Sequence, residues 1–253
     1  MAQALGYVLY EGPSLITGNP ITTIATGFAK PSTNQKTGDM IQTWILSAGT
    51  SPDKAISDGT DRDICGACPH RGDGASKDRT CYVNIKRAPL SVWQAYKRNR
   101  YPKLTDHSVF GNRLVRLGAY GDPAAVPISI WKPILHNSAG HTGYTHQWRT
   151  CDRAYSEFLM ASADTVAERF AAKALGYRVF RVRAPGSTDK LAGEVVCPAS
   201  AEAGFKLNCA TCLACHGTNN GRRGDIVIST HGAASLINAY KRRFPDDPQV
   251  KVA

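Results

Sequence analysis

Seven of the eight cysteines in this 253-residue chain fall in two short stretches. The first reads Cys65-Gly-Ala-Cys68-Pro-His70-Arg71, with Cys81-Tyr82 following, twelve residues lying between Cys68 and Cys81. The second reads Cys197-Pro198, then Cys209-Ala-Thr-Cys212-Leu-Ala-Cys215-His216, and only Cys151 stands alone. Disulfides need no such crowding, whereas a metal centre needs several thiolates delivered by tight turns. Residues 1–30 lack the charged start and apolar core of a secretion signal. No apolar run approaches the ~20 residues of a membrane span. A cytoplasmic chain is therefore expected, where structural disulfides are rare.

The cysteines then read as ligands. Cys197, Cys209, Cys212 and Cys215 supply four thiolates, which suit a structural zinc. Cys-x2-Cys-x2-Cys with a separate Cys-Pro is also an iron–sulfur spacing, so that centre stays open, as does replacement of Cys197 by His216 or His231. Cys65, Cys68 and Cys81, with His70, form a second candidate site.

The charge points to a partner. Lys and Arg number 31 against 20 Asp and Glu, a net +11, which favours a polyanion such as DNA. Lys97, Arg98, Arg100, Arg222, Arg223, Lys241, Arg242 and Arg243 are the candidate phosphate contacts. A hydrophobic content of 42% supports a packed core.

Short β-rich runs alternate with helical stretches. Strands are expected at 23–28, 41–46, 114–120, 143–148, 158–161, 178–183, 194–197 and 225–230. Helices are expected at 90–100, 129–137 (shortened or kinked by Pro133), 165–175 and 234–244. Asp164 or Thr165 would cap the third of these. This pattern predicts an α/β fold, a compact and irregular (β/α)8 barrel, with a doubly wound open sheet as the alternative, and Cys-rich metal-binding insertions at 62–82 and 197–216 of a single catalytic domain, 1–253. In such a barrel chemistry sits at the C-terminal strand ends. Asp122, after Gly121 and before Pro123, occupies one such end. Asp39 lies in a polar segment with Asn34, Lys36 and Gln42, which could meet a phosphate or base edge. Tyr120, Tyr144, His146, Gln147 and Trp148 are candidates for stacking on and hydrogen-bonding a base.

The order Asn34-x-Lys36-x-Gly38, Met40-Ile41-Gln42, Cys65-x-x-Cys68-Pro-x-Arg71, Cys81-Tyr82, Gly121-Asp122, Tyr144-Thr145 and Cys209–Cys215 resembles a group of phage proteins that includes a mycobacteriophage gene-product family. The likeness covers roughly residues 20–235. Some of that group look like distant relatives of the tRNA-guanine transglycosylases. Phage enzymes of the DpdA type exchange guanine in DNA for a 7-deazaguanine such as preQ0 and mask the genome from host restriction. The resemblance implies a (β/α)8 barrel, two catalytic aspartates and a structural zinc held by three cysteines and a histidine. It implies phage DNA and a 7-deazaguanine base as partners, other phage base-modification enzymes as collaborators, and the host cytoplasm as location. On it, Asp122 is expected as nucleophile and Asp39 as acid/base. The zinc-like motif here is Cys-x2-Cys-x2-Cys, where the tRNA enzymes carry Cys-x-Cys-x2-Cys.

Two readings use the same features without base exchange. One is a non-catalytic, metal-stabilised DNA-binding phage protein. The other is a metal-dependent nuclease, which ranks last because no tight carboxylate set is present to hold two Mg²⁺ ions.

Overall fold

A computed structural model describes residues 4–32, 34–72, 79–218, 221 and 224–243. The chain opens with strands β1 (Gly6–Pro13), β2 (Pro20–Thr26) and β3 (Ile41–Ser47). Three helices follow, α1 (Pro52–Asp58), α2 (Arg62–Cys65) and α3 (Ala88–Lys97). Next come β4 (Leu114–Tyr120), α4 (Ile128–Asn137), β5 (Gly140–Thr142), β6 (Tyr144–Thr145) and β7 (Met160–Ala163). The remainder is α5 (Val166–Ala174), β8 (Val179–Arg183), β9 (Glu194–Val196), α6 (Cys209–Cys212), β10 (Asp225–Ser229) and α7 (Ala234–Arg243).

These strands form two five-stranded sheets, ordered β1-β2-β3-β4-β5 and β6-β7-β8-β10-β9. The β1, β2 and β3 pairings are antiparallel; β3-β4-β5 and the whole second sheet are parallel. The protein is thus a mixed α/β fold with two sheets rich in parallel pairs. The expected closed barrel is the finer statement, and these pairings alone do not draw it.

The sheets meet where β5 passes into β6 through Gly143. Its N–H donates to the Cys215 carbonyl at 2.9 Å, and its own carbonyl accepts from Met160 N at 3.1 Å. A Cβ at this position would lie 2.6 Å from Leu159 Cδ2 and 3.0 Å from Leu117 Cβ, so only glycine fits. The expected strand at 143–148 is corrected here. Its first half is split by this crossing, and residues 146–148 leave the sheet as the chain turns, with Gln147 N donating to Thr145 Oγ1.

Other elements follow local chemistry. Helix α5 is capped by Thr165, whose hydroxyl accepts from Glu168 N, while Glu168 reaches back to Asp164 N at 2.7 Å. It ends ahead of Gly176, in the left-handed region at φ 85°. Helix α4 continues through Pro133 across all ten residues. Strand β1 escaped the sequence reading because it is a sheet edge broken by a bulge between Val8 and Tyr10, which blurs its period. The largest core joins Ile24, Ile41, Ile45, Val115, Leu117 and Trp131 around the first sheet. Arg222, Arg223 and Phe244, named from sequence, lie outside the described residues. No helix among the described residues is long and apolar enough to cross a membrane.

Candidate active site

Side chains on a strand alternate between faces. One face of the parallel strands lines a single cavity of ≈ 270 Å³: Arg116 and Tyr120 of β4, Tyr144 of β6, Ser162 of β7, Phe180 and Val182 of β8, Ile228 of β10. The two cysteine loops enclose the rest, and all seven clustered cysteines line this cavity. The sequence reading placed two independent insertions; the structure turns both toward one space.

The first loop leaves α2 at Gly66, where a Cβ would sit 2.4 Å from Gln147 Oε1. Cys68 N then closes on the Cys65 carbonyl at 3.0 Å, and Cys81 N on the His70 carbonyl at 2.9 Å. Burial pushes the Cys65 thiol up, and the neighbouring Cys68 and Cys81 add to this. Burial also raises Cys81, against the nearby Arg79 guanidinium.

The second loop is anchored by Cys209 N on the Lys36 carbonyl at 2.8 Å and by an Asn208–Thr211 capping box at the head of α6. Burial drives the Cys215 thiol up to about 12, with Cys197, Cys209 and Cys212 as its charged neighbours. Burial raises Cys197 and Cys209 as well, opposed by the cations Lys36 and Arg116. All eight cysteines are free thiols.

Beside the first set lies a triad that sequence reasoning did not assemble. His70 Nε2 is 2.8 Å from Asp164 Oδ1, and His146 Nε2 is 3.5 Å from Oδ2. His70 Nδ1 is held by Thr80 Oγ1 at 2.7 Å. Burial alone would raise the Asp164 carboxyl, but the two imidazoles outweigh it and hold it below the usual carboxylate range. Asp164 or Thr165 was expected as the helix cap; Thr165 takes that role and leaves the Asp164 carboxylate to the histidines. Among the described residues, this is the group of three or more His, Cys, Asp and Glu whose ligand atoms all fall within 4.8 Å of one another. His70 therefore faces Asp164 rather than completing a mononuclear set with Cys65, Cys68 and Cys81.

Asp122 lines the cavity, buried at the end of β4. Its Oδ1 accepts from Ala124 N at 3.0 Å, and its Oδ2 from His146 N at 2.8 Å and Gln147 Nε2 at 3.3 Å. Asp39 is on the surface instead, paired with Arg113 at 3.1 Å. Arg113 directly precedes β4 and Asp122 follows its other end, so the two aspartates are separated on the order of 20 Å along the strand. The structure does not bring them together.

Among the other sequence candidates, Asn34, Lys36, Tyr120, Tyr144 and His146 line the cavity. Gln42 is buried on its own backbone, donating to the Met40 carbonyl. Gln147 braces the first cysteine loop through Ala67 N and the Cys65 carbonyl. Trp148 is core: its Nε1 donates to the Ser162 carbonyl, and it packs on Ala161, Ala163 and Tyr177. Gln42 and Trp148 thus donate to backbone carbonyls, whereas Gln147 divides its amide between backbone and the Asp122 carboxylate.

The cavity has aromatic walls and a cationic floor. Arg116 donates to the Tyr82 hydroxyl at 3.3 Å, and Lys36 Nζ lies 3.1 Å from His231 Nε2. Burial works against the Arg116 charge, but Tyr82, Tyr144 and Cys209 together raise its pKa. The buried Tyr120 hydroxyl has no hydrogen-bond partner among the described residues. The chain matches no family model, no curated protein and no solved structure.

Proposed function

We propose that the chain is an enzyme that acts on a nucleobase of DNA held in this cavity, by exchange of guanine for a 7-deazaguanine. The observation that carries the proposal is the cavity itself. In this reading a flat base stacks on the aromatic lining, which includes Tyr82, Tyr120 and the Tyr144–Phe180 pair, with Lys36 and Arg116 for its phosphate and Asp122 and His146 side by side. The same reading takes the two sheets as the wall of an irregular (β/α)8 barrel, with Asp122 at a C-terminal strand end.

In this reaction the Asp122 carboxylate attacks C1′ of a flipped nucleotide, and the bond from C1′ to guanine N9 breaks as the base takes a proton. The incoming base loses its N9 proton and attacks the C1′ ester, which returns the carboxylate. Two inversions retain configuration. The proton is handled by His146, backed by Asp164 and His70, in place of the distant Asp39.

The test is incorporation of labelled 7-deazaguanine bases into single- and double-stranded DNA, read in nucleoside digests. Label in DNA from wild type and none with Asp122→Asn supports the proposal. DNA binding without label across the candidate bases overturns it in favour of a non-catalytic DNA-binding protein. Mg²⁺-dependent cleavage overturns it in favour of a nuclease.

A further inference from the structure

The thiols do not fit the metal that the family resemblance implies. Tetrahedral zinc holds its thiolates about 3.8 Å apart, given Zn–S bonds of about 2.3 Å. Cys197, Cys209, Cys212 and Cys215 are electrostatic neighbours of one another, as are Cys65, Cys68 and Cys81. Yet neither set contributes three ligand atoms within 4.8 Å of one another. The resemblance also implies a histidine ligand, and the four-thiol set needs none. Neither set is closed on one ion.

We propose that the two cysteine sets hold two [4Fe–4S] clusters lining one cavity, a closed one on Cys197, Cys209, Cys212 and Cys215 and an open one on Cys65, Cys68 and Cys81. A cubane spreads its thiolate ligands farther apart than a single ion does, which suits sets not closed on one ion. Cys209-x2-Cys212-x2-Cys215 has the spacing of three ligands of a four-iron cluster, with the Cys-Pro, here Cys197-Pro198, upstream of them instead of downstream. Cys65-x2-Cys68-x12-Cys81 provides three thiols and leaves one iron for a ligand from the cavity. His146, beside Cys68, and Asp122, beside Cys65, stand next to that open corner.

Charge supports the assignment. A thiolate-ligated cluster is an anion, and a buried anion needs cations close by. Arg116 and Lys36 flank Cys209, Lys36 flanks Cys197, and Arg79 flanks Cys81. The fold also sets the separation. Tyr120 neighbours Cys65 and Cys81, whereas Arg116, four residues back along β4, neighbours Cys209. The clusters thus meet β4 at different points, where its bulge sets Arg116 and Tyr120 against Gln42 and Trp44 of β3, and both line one cavity. The division of labour follows the rule for metal sites in general: a fully ligated centre is structural or passes electrons, and an open one binds substrate. The open iron would take an oxygen, nitrogen or sulfur donor of the molecule held in the cavity. This inference does not depend on base exchange.

The test is anaerobic purification of the full chain, followed by reconstitution with ferrous iron and sulfide. Iron, acid-labile sulfide and zinc are quantified, and absorption and reduced-state electron paramagnetic resonance are recorded. We expect a brown protein with about eight irons and eight sulfides per chain. Cys65→Ala/Cys68→Ala and Cys209→Ala/Cys212→Ala should each retain about half. Cyanide should shift the resonance of the second variant, which keeps the open cluster, and leave that of the first unchanged. Stoichiometric zinc, or iron without labile sulfide, in the wild-type protein overturns the proposal whatever the variants do.

Discussion

Oδ1 of Asp164 lies 2.8 Å from Nε2 of His70, across ninety-four residues of sequence. The other carboxylate oxygen faces His146. This one acid ties the first cysteine loop, the exit of β6 and the exit of β7 to one another.

The folded Asp164 pKa is depressed below the unfolded carboxylate value of about 3.9. A depressed acid contributes stability that is fully present above the unfolded pKa and is lost as pH falls toward the folded one. The stability difference between wild type and Asp164→Asn should therefore be level from pH 5 to 6 and shrink below about pH 4. Urea denaturation of both proteins across that range checks this; a difference that grows on acidification contradicts it.

Asp122 has a structural duty separable from its proposed chemistry. Asp122→Ala would leave the N–H groups of Ala124 and His146 without their acceptor, at about 1–3 kcal/mol for each buried group. Asp122→Asn keeps one acceptor oxygen and should cost less than half as much. Base exchange should be lost in both, so denaturation midpoints and exchange rates will not rank the two variants alike.

Beneath the second sheet, Arg181 clasps Glu194 through two bonds of 2.7 and 2.8 Å. Arg169 reaches both Glu194 and Asp225. Removing one member strands buried charge, so Glu194→Ala should destabilise by about 3–5 kcal/mol. The paired replacement Arg181→Met/Glu194→Leu should recover most of that loss. Chemical denaturation of the single and paired variants measures both effects.

Gly143→Ala forces a methyl into Leu159 and Leu117 at the junction of the sheets. An overpacked core site costs about 1–3 kcal/mol. Because Gly143 N also holds the Cys215 carbonyl, the variant should lose metal from the four-thiol set before the three-thiol set, as read by metal content during a thermal ramp.

Lys97, Arg98 and Arg100 are exposed at the end of α3, with Lys97 lying over the rings of Trp93 and Tyr96. If they meet phosphates, replacing all three with alanine should lower the slope of log affinity against log salt by about 2–3. Fluorescence titration with DNA at several salt concentrations gives the slope; an unchanged slope removes this face from the contact.

Much of the secondary structure was legible locally. Strand β4 spans 114–120 as its pattern predicts, and α5 starts and stops at its capping residues. Strand β8 shows what the local pattern leaves open, since its residues alternate between apolar and arginine. The structure places Phe180 and Val182 along the cavity and buries Arg181 and Arg183 on the other face, matched by Glu194 and Glu202. Period two reveals that a strand has two faces but not which face is inside, because that depends on acids supplied from elsewhere in the chain.

The spacing of the cysteines, fixed by sequence alone, already divided them into a set of four and a set of three. Spacing governs what a single turn can bring together, so it is readable without a fold. That both sets line the same cavity, that Asp39 lies at the far end from Asp122, and that Asp164 serves two histidines were decided only by the tertiary structure. Parallel pairing of β6 with β7 and of β3 with β4 brings distant residues to common strand ends, and no local pattern records which residues meet there.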